Sequence, residues 1–194
     1  NADANGVDLM ITNSNGDKLV RELNYIDTGT NAGIFWFRAD SLSASVDTEF
    51  YLYYGNNTAS ETNSSEVWNG DYLLVTHLDD DPTGSAGDID DVNPKNGDGR
   101  SYGSMAAAET AKIYQGLHFD GSDDYVNMTD INELDSAGQY TFSTWFKRDT
   151  STAMMFMGMK SSSFMIYTSG SNVYFRPTDD YMTAMLLTFP NASH

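Results

Sequence analysis

Residues 48–54 read TEFYLYY, and this stretch decides the fold class. Its side chains alternate at period two, so that Phe50 and Leu52 project to one side of an extended chain while Tyr51 and Tyr53 project to the other. A helix would instead place residues three or four apart on one face. The stretch therefore predicts a β-strand with two usable faces.

Clusters of Gly, Asn, Ser, Thr and Asp recur every ten or so residues on both sides of this strand, a rhythm typical of short strands joined by turns. The Asn/Gly cluster at 13–17 predicts a hairpin between residues 7–12 and 19–26. Only residues 105–113 suggest a short helical turn. Further strands are predicted at residues 34–38, 72–77, 117–119, 125–128, 140–147, 154–159, 164–167, 173–176 and 184–189. We therefore predict an all-β chain.

The charge balance narrows the classes of partner. The chain has 28 acidic and 10 basic side chains and a net charge of -18, which repels nucleic-acid phosphate and anionic membrane surfaces. It contains no Cys, so disulfides and thiolate metal sites are excluded. Its apolar runs are too short to span a bilayer. We therefore expect no nucleic-acid partner and no direct membrane insertion.

A change in composition marks a boundary between two predicted domains. Residues 55–65 are rich in Asn, Thr and Ser and lack apolar periodicity, which indicates a surface connection. We place the boundary near Glu66 and predict one domain over 1–65 and a second over 66–194. In the second, the strand predicted at 72–77 is followed by a long, acidic, Gly-rich loop at 79–104, and loops of this length are usually functional or disordered.

Four strings of the second domain carry a family resemblance: VWNGDY at 67–72, DVNPKNGDG at 91–99, GLHFDGSDDYV at 116–126 and YTFSTWFK at 140–147. They resemble the laminin-G-like, concanavalin A-like lectin/glucanase family. The resemblance implies an antiparallel β-sandwich of the jelly-roll type and a carbohydrate-binding or adhesion function. A smaller N-terminal β unit would then pack against the sandwich or be linked to it.

The first domain resembles an uncharacterised β domain that is common in bacterial surface and envelope proteins. The strings that carry this resemblance include GVDL at 6–9, LSAS at 42–45 and YLYYGN at 51–56. It implies a secreted, periplasmic or cell-surface location. Family members usually have further strands beyond both ends, so we expect each domain here to be partial, with the missing flanking strands supplied by the same larger polypeptide.

Two acidic segments are candidates for calcium, because this hard cation takes six to eight oxygen ligands. The alternatives are an Asx-turn at 120–124 and a solvated, mobile loop at 79–104. The candidate ligands of the loop and the turn are Asp79, Asp81, Asp88, Asp90, Asp91, Asp98, Asp120, Asp123 and Asp124.

Three aromatic residues are candidates for stacking on sugar rings, the mode that the resemblance implies. If Phe142 and Phe146 face a core, period two turns Trp145 outward, where it forms either a sugar platform or part of a second packed layer. Tyr51 and Tyr53 are further candidates on the second face of their strand.

The sequence shows no catalytic motif. Glu is sparse, no Glu pair has the spacing of sandwich-fold glycosidases, and the three His residues are scattered. We therefore expect a non-catalytic, calcium-supported module that binds a polysaccharide or glycoconjugate outside the cytoplasm. The alternatives are a structural or protein–protein assembly module of a larger envelope or surface protein, and an accessory part of a polysaccharide-degrading enzyme.

Overall fold

A computed structural model describes residues 2–93, 95, 97–133, 139, 141–148, 154–158, 164–169, 172–177 and 185–188. Within these ranges the chain forms twelve short strands and one 3-10 turn, Ser65–Val67. Every strand pair is antiparallel, which confirms the prediction of an all-β chain. The chain divides into two compact units, Asn1–Tyr140 and Thr141–His194.

The first unit contains eight described strands that pair two by two. They are β1 Met10–Asn13, β2 Arg21–Asp27, β3 Ala32–Phe37, β4 Phe50–Tyr53, β5 Gly99–Tyr102, β6 Ala106–Thr110, β7 Gln115–His118 and β8 Tyr125–Met128. The pairs are β1–β4, β2–β3, β5–β8 and β6–β7. Two-stranded sheets are marginal alone, so each depends on the loops and side chains that pack against it.

The second unit contains one four-stranded sheet in the order β12-β11-β10-β9. Its strands are β9 Met154–Gly158, β10 Phe164–Ser169, β11 Asn172–Pro177 and β12 Met185–Thr188. The sequence predicted all four, although the predicted ends at residues 159, 184 and 189 lie outside the described residues. Ile166 and Thr168 are buried on β10.

The turn at 13–17 is confirmed, and the hairpin predicted around it forms only next to the turn, where the Asn13 N–H donates to the Asp17 carbonyl and the Leu19 N–H donates to the Ile11 carbonyl. The Asn13 side chain accepts the N–H groups of Asn15 and Asp17, and Gly16 has a φ of +85°, as the tight turn requires. β1 then pairs with β4 rather than with the segment after the turn, and that segment contributes only a bridge between Thr12 and Lys18.

Other local predictions also fail. Residues 72–77 and 141–147 form no strand, and residue 140 lies outside the described residues. The segment expected to make a helical turn contains β6, which pairs with β7. The loop expected to reach residue 104 ends at β5, which pairs with β8. For β5 and β6, non-local pairing outweighs local propensity.

A buried arginine holds the first unit together around Leu9, Ile11 and Leu19, which form part of its apolar core. Arg21 is only 4% exposed. Its guanidinium donates from Nε to the Leu9 carbonyl at 2.8 Å, from Nη2 to the Gly6 carbonyl at 2.9 Å and from Nη1 to Asn63 Oδ1 at 2.9 Å. This fork ties the chain near residue 63 to the start of β2.

Candidate functional site

The turn between β7 and β8 brings three carboxylates together. Asp120, Asp123 and Asp124 each place an oxygen within 4.8 Å of the others. Gly121 allows the tight reversal with a φ of +78°. The Ser122 N–H donates to Asp120 Oδ1 at 2.7 Å, which is the Asx-turn that the sequence offered as the alternative reading.

Asp124 fixes this turn to the segment that follows β5. Its Oδ2 accepts the Asp120 N–H at 2.9 Å, and its Oδ1 accepts the Ser104 N–H at 3.0 Å. Ser104 follows β5 by two residues, so the turn lies at the end of the β5–β8 pair. Asp120 and Asp123 are exposed and keep oxygens that a cation could reach. Clustered carboxylates of this kind suit a hard divalent cation, which would also offset their mutual repulsion.

Two acids of the long loop are engaged by backbone amides. The buried Asp91 accepts the N–H groups of Val75, Asn93 and Gly97 at 2.9, 3.0 and 2.9 Å. Asp98 in turn accepts the Asp91 N–H at 3.0 Å. These bonds close the loop on itself, because each carboxylate satisfies donors that the irregular backbone leaves without a ladder partner.

Asp88 has a similar structural position. It accepts both the N–H and the hydroxyl of Ser101, at 2.8 and 2.6 Å, and the Gly84 N–H at 2.6 Å. Burial acts to raise the pKa of Asp88, but these hydrogen bonds outweigh it and leave the pKa lowered. Ser101 is only 2% exposed, so the pair anchors β5 to the loop.

The remaining loop acids lie apart. Asp79 accepts the Asn24 side-chain amide at 2.8 Å, and Asp81 is exposed. Asp79, Asp80 and Asp90 line a hollow of about 280 Å³ together with Glu22 and His77. Within the part of the chain that the structure describes, no group of three His, Asp or Glu side chains other than the 120–124 turn comes within ligand distance. The assignment of the loop acids as metal ligands stays a prediction.

This hollow perturbs one carboxyl strongly. Burial raises the pKa of Asp80 to about 6, and the negative charges of Asp90 and Asp79 act in the same direction. Beside it, Glu22 accepts the Trp68 indole N–H at 2.6 Å and lies 2.8 Å from His77 Nε2. Glu22 is therefore a hydrogen-bonded structural group.

The three aromatic residues predicted to stack on sugars are all exposed. Trp145 is 71% exposed and belongs to the second unit. Tyr51 and Tyr53 are 46% and 50% exposed on β4, and the Tyr51 hydroxyl donates to Glu49 at 3.0 Å. Since Trp145 and the tyrosines belong to separate units, each is a candidate by itself.

Sequence reasoning missed one exposed strand face beside the turn. Tyr102 and Tyr125 are directly opposite each other across β5 and β8, and their rings stack with centroids 4.6 Å apart and planes 5° apart. Period two within β8 could have marked Tyr125 as outward. Tyr102 lay within the predicted loop, so its pairing with Tyr125 could not be predicted.

A second aromatic group lies between residues 36 and 77. Trp36 stacks on His77 with ring centroids 5.4 Å apart and contacts Trp68 at 5.5 Å, and Tyr72 meets Trp68 edge-on. The rings of Trp36, Trp68 and Tyr72 border a groove of about 330 Å³ that Arg38 also lines. Trp68 thus contacts residues on both sides of the boundary predicted near Glu66. The boundary itself stays a prediction.

Comparison with known proteins gives one match, which covers less than half of the chain. Residues 5–90 match a family model described as Domain of unknown function (DUF2341). An uncharacterised family is what the sequence predicted for residues 1–65, and the match continues beyond the predicted boundary. No curated protein and no solved structure matches the chain. The laminin-G-like resemblance of residues 66–194 stays a prediction.

No helix among the described residues has the length and apolar character needed to cross a bilayer.

Proposed function

We propose that this chain is a non-catalytic carbohydrate-binding or adhesion module that is supported by calcium and acts outside the cytoplasm. The observation that carries the proposal is the group of three carboxylates at 120–124, which lies at the end of an exposed strand pair. Carbohydrate sites commonly combine a few oriented oxygens with aromatic faces. The resemblance to surface-protein domains supports the location, and the laminin-G-like resemblance supports a jelly-roll sandwich for residues 66–194.

Calcium would be held by Asp120, Asp123 and Asp124, with water completing the shell. The exposed aromatic candidates Trp145, Tyr51 and Tyr53 would supply stacking faces for a polysaccharide or glycoconjugate. Modules that act outside cells bind calcium with dissociation constants of roughly 0.1 to 1 mM. At a dissociation constant of about 0.1 mM, 10 mM calcium would stabilise the folded state by about 2.7 kcal/mol.

Thermal unfolding tests the calcium part. The melting temperature of the wild type should rise on adding 10 mM calcium to chelator-treated protein, and the rise should largely disappear in Asp123→Asn. Asp130→Asn is the matched control, since Asp130 is also exposed but lies outside the turn. An equal rise in all three proteins would place calcium elsewhere, and no rise in the wild type would reject a site of useful affinity.

A glycan array, run with calcium and with chelator, tests the carbohydrate part. We expect hits that weaken when calcium is removed. A well-folded sample that binds no glycan under either condition would reject the proposal.

A second candidate function is a structural or assembly module, which a different observation favours. Leu52 in β4 is 44% exposed, and Leu42 and Val46 in the segment before it are 71% and 69% exposed; among the described strands, β4 pairs with β1 alone. Exposed apolar side chains beside a strand edge are a surface on which another chain can pair. Sedimentation velocity with wild type and Leu52→Lys tests it. Self-association that Leu52→Lys abolishes would favour assembly. A wild type that stays monomeric at about 0.1 mM would count against self-pairing.

A further inference from the structure

The exposed face of the β5–β8 pair has the composition of a binding surface. On β5, Arg100 and Tyr102 alternate with the buried Gly99 and Ser101. On β8, exposed and half-buried positions alternate, and Tyr125 is exposed. The register pairs Tyr102 with Tyr125 and Arg100 with Asn127, so one side of this ribbon presents two tyrosines, an arginine and an amide.

The tyrosines form a fixed stack. The two rings are nearly parallel at 4.6 Å, and Arg100 Cζ lies 4.9 Å from the centre of the Tyr102 ring. No guanidinium fits between rings at that spacing, so Arg100 covers the opposite face of Tyr102. Arg100 is itself held, because its Nε donates to the Gly84 carbonyl at 2.6 Å. The order of the layers is therefore Arg100, Tyr102, Tyr125.

The outermost layer is open. Tyr125 is 52% exposed although Tyr102 covers one face of its ring. The stack restricts the rotation of the Tyr125 side chain, so a ligand that packs on the free face would order little additional structure. Such preorganisation lowers the entropic cost of binding.

The neighbouring groups indicate the chemistry of the ligand. The amide of Asn127 lies on the same strand face, and the carboxylates of the 120–124 turn lie directly before the start of β8. The amide can donate hydrogen bonds to hydroxyl groups and accept them, and the carboxylates can accept them. The net charge of -18 disfavours an anionic ligand, and calcium bound at the turn, as proposed above, would offset the carboxylates that otherwise favour a cationic one. A neutral ring with one apolar face and a rim of hydroxyls fits both requirements.

We infer that Tyr125, held in place by Tyr102 and Arg100, is a sugar-binding residue whose free ring face stacks on a neutral pyranose. Asn127 and the turn carboxylates lie where they can reach the hydroxyls of that sugar. This inference rests on the proposed carbohydrate-binding function and assigns it a surface distinct from Trp145, Tyr51 and Tyr53.

Affinity electrophoresis in gels that contain a neutral polysaccharide tests the inference. The probes are a β-1,3-glucan, a β-1,4-xylan, a β-1,4-galactan and dextran, each with calcium present. Tyr125→Ala should weaken retardation at least tenfold, whereas Tyr125→Phe, which keeps the ring, should stay within about threefold of the wild type. Tyr54→Ala is the matched control, because Tyr54 is an exposed tyrosine that follows β4 and lies outside the β5–β8 pair.

The outcomes separate this inference from the function on which it rests. If the wild type binds none of the polysaccharides, the proposed function and the inference both fail. If the wild type binds and Tyr125→Ala binds equally well, only the inference fails. Tyr125-dependent binding of a lysine-rich peptide without polysaccharide binding would also overturn it, in favour of a cationic partner. Tyr125→Thr, a strand-forming substitution, replaces the alanine variant if that variant does not fold.

Discussion

The substitution Asp91→Ala removes a buried carboxylate that three backbone amides share. Asp91 is 6% exposed and accepts the N–H groups of Val75, Asn93 and Gly97. These donors lie on two stretches of irregular chain, one at residue 75 and one at residues 93–97, and alanine leaves them without their acceptor. We expect a large loss of stability in the first unit.

The magnitude follows from the three hydrogen bonds. A hydrogen bond to a charged group contributes about 1.5 to 3 kcal/mol, and an unsatisfied buried donor costs a comparable amount. The contributions are not additive, and alanine also relieves the cost of burying the charge, so we expect a net loss of roughly 3 to 5 kcal/mol. For a chain of this size, that loss corresponds to a decrease in melting temperature of roughly 6 to 20 °C.

Urea unfolding followed by tryptophan fluorescence measures the effect. A Trp145→Phe background leaves Trp36 and Trp68 as reporters, and both belong to the first unit. The buffer should contain a chelator. Without calcium, a carboxylate that stabilised the fold mainly by binding this ion would contribute little to the free energy of unfolding. The control is Asp81→Ala, an exposed acid of the same loop, which should leave the midpoint unchanged. An Asp91→Ala midpoint equal to that of the control would refute the structural role assigned to Asp91.

Three further substitutions test other parts of the first unit. Burial raises the pKa of Asp80 to about 6, above its unfolded value of 3.8, so the protonated carboxyl favours the folded state at low pH and this advantage is lost as pH rises through 6. Asp80→Asn should therefore stabilise the protein at pH 7.5 by roughly 1 to 2 kcal/mol, a value reduced for the partial exposure of the group. In urea titrations, the gain should vanish near pH 4. A variant that is less stable than the wild type at pH 7.5 would contradict this sign. Gly103→Ala should reduce the calcium-induced rise in melting temperature, because the added Cβ would overlap Asp124 Oδ1. The control is Gly84→Ala: Gly84 also has a positive φ, but a Cβ there meets only open space, so the calcium-induced rise should remain. Arg21→Met should lower the free energy of unfolding by about 2 to 4 kcal/mol, because the carbonyl oxygens of Leu9, Gly6 and the Asn63 side chain lose their donors. A loss below about 1 kcal/mol, the contribution of one ordinary hydrogen bond, would show that water replaces the guanidinium.

Strands with a strong local pattern could be predicted from the sequence, whereas their partners could not. The alternation around Tyr51 and Tyr53 predicted β4 correctly, and the alternation at 125–128 predicted β8 with its bounds. β4 pairs with β1 across nearly the whole first domain rather than with a neighbour in sequence. A period-two pattern specifies which side chains share a face, and leaves open which strand lies alongside.

Short polar strands carry too weak a pattern to be seen locally. The sequence of β5, GRSY, contains glycine, serine and a charge, all of which are typical of loops, and the sequence analysis therefore placed it in the acidic loop. β6 contains a run of alanine, a strong helix former, and is nevertheless a strand because it pairs with β7. In both elements the strand conformation depends on a partner that comes later in the chain.

The same limitation explains why the sequence identified too many candidate metal ligands to rank. Counting acids in a glycine-rich loop treats every carboxylate as an available ligand, yet a loop without a ladder also contains backbone donors that need acceptors. Asp88 and Asp91 lie beside such donors and accept them, while Asp120 and Asp123 are exposed at a turn where carboxylates face one another. Acids that satisfy buried amides stabilise the loop whether or not a cation is present, whereas clustered exposed acids repel one another until one binds. A calcium-dependent change in stability should therefore be traced first to Asp123, and the loss from Asp91→Ala should be the same with calcium or chelator.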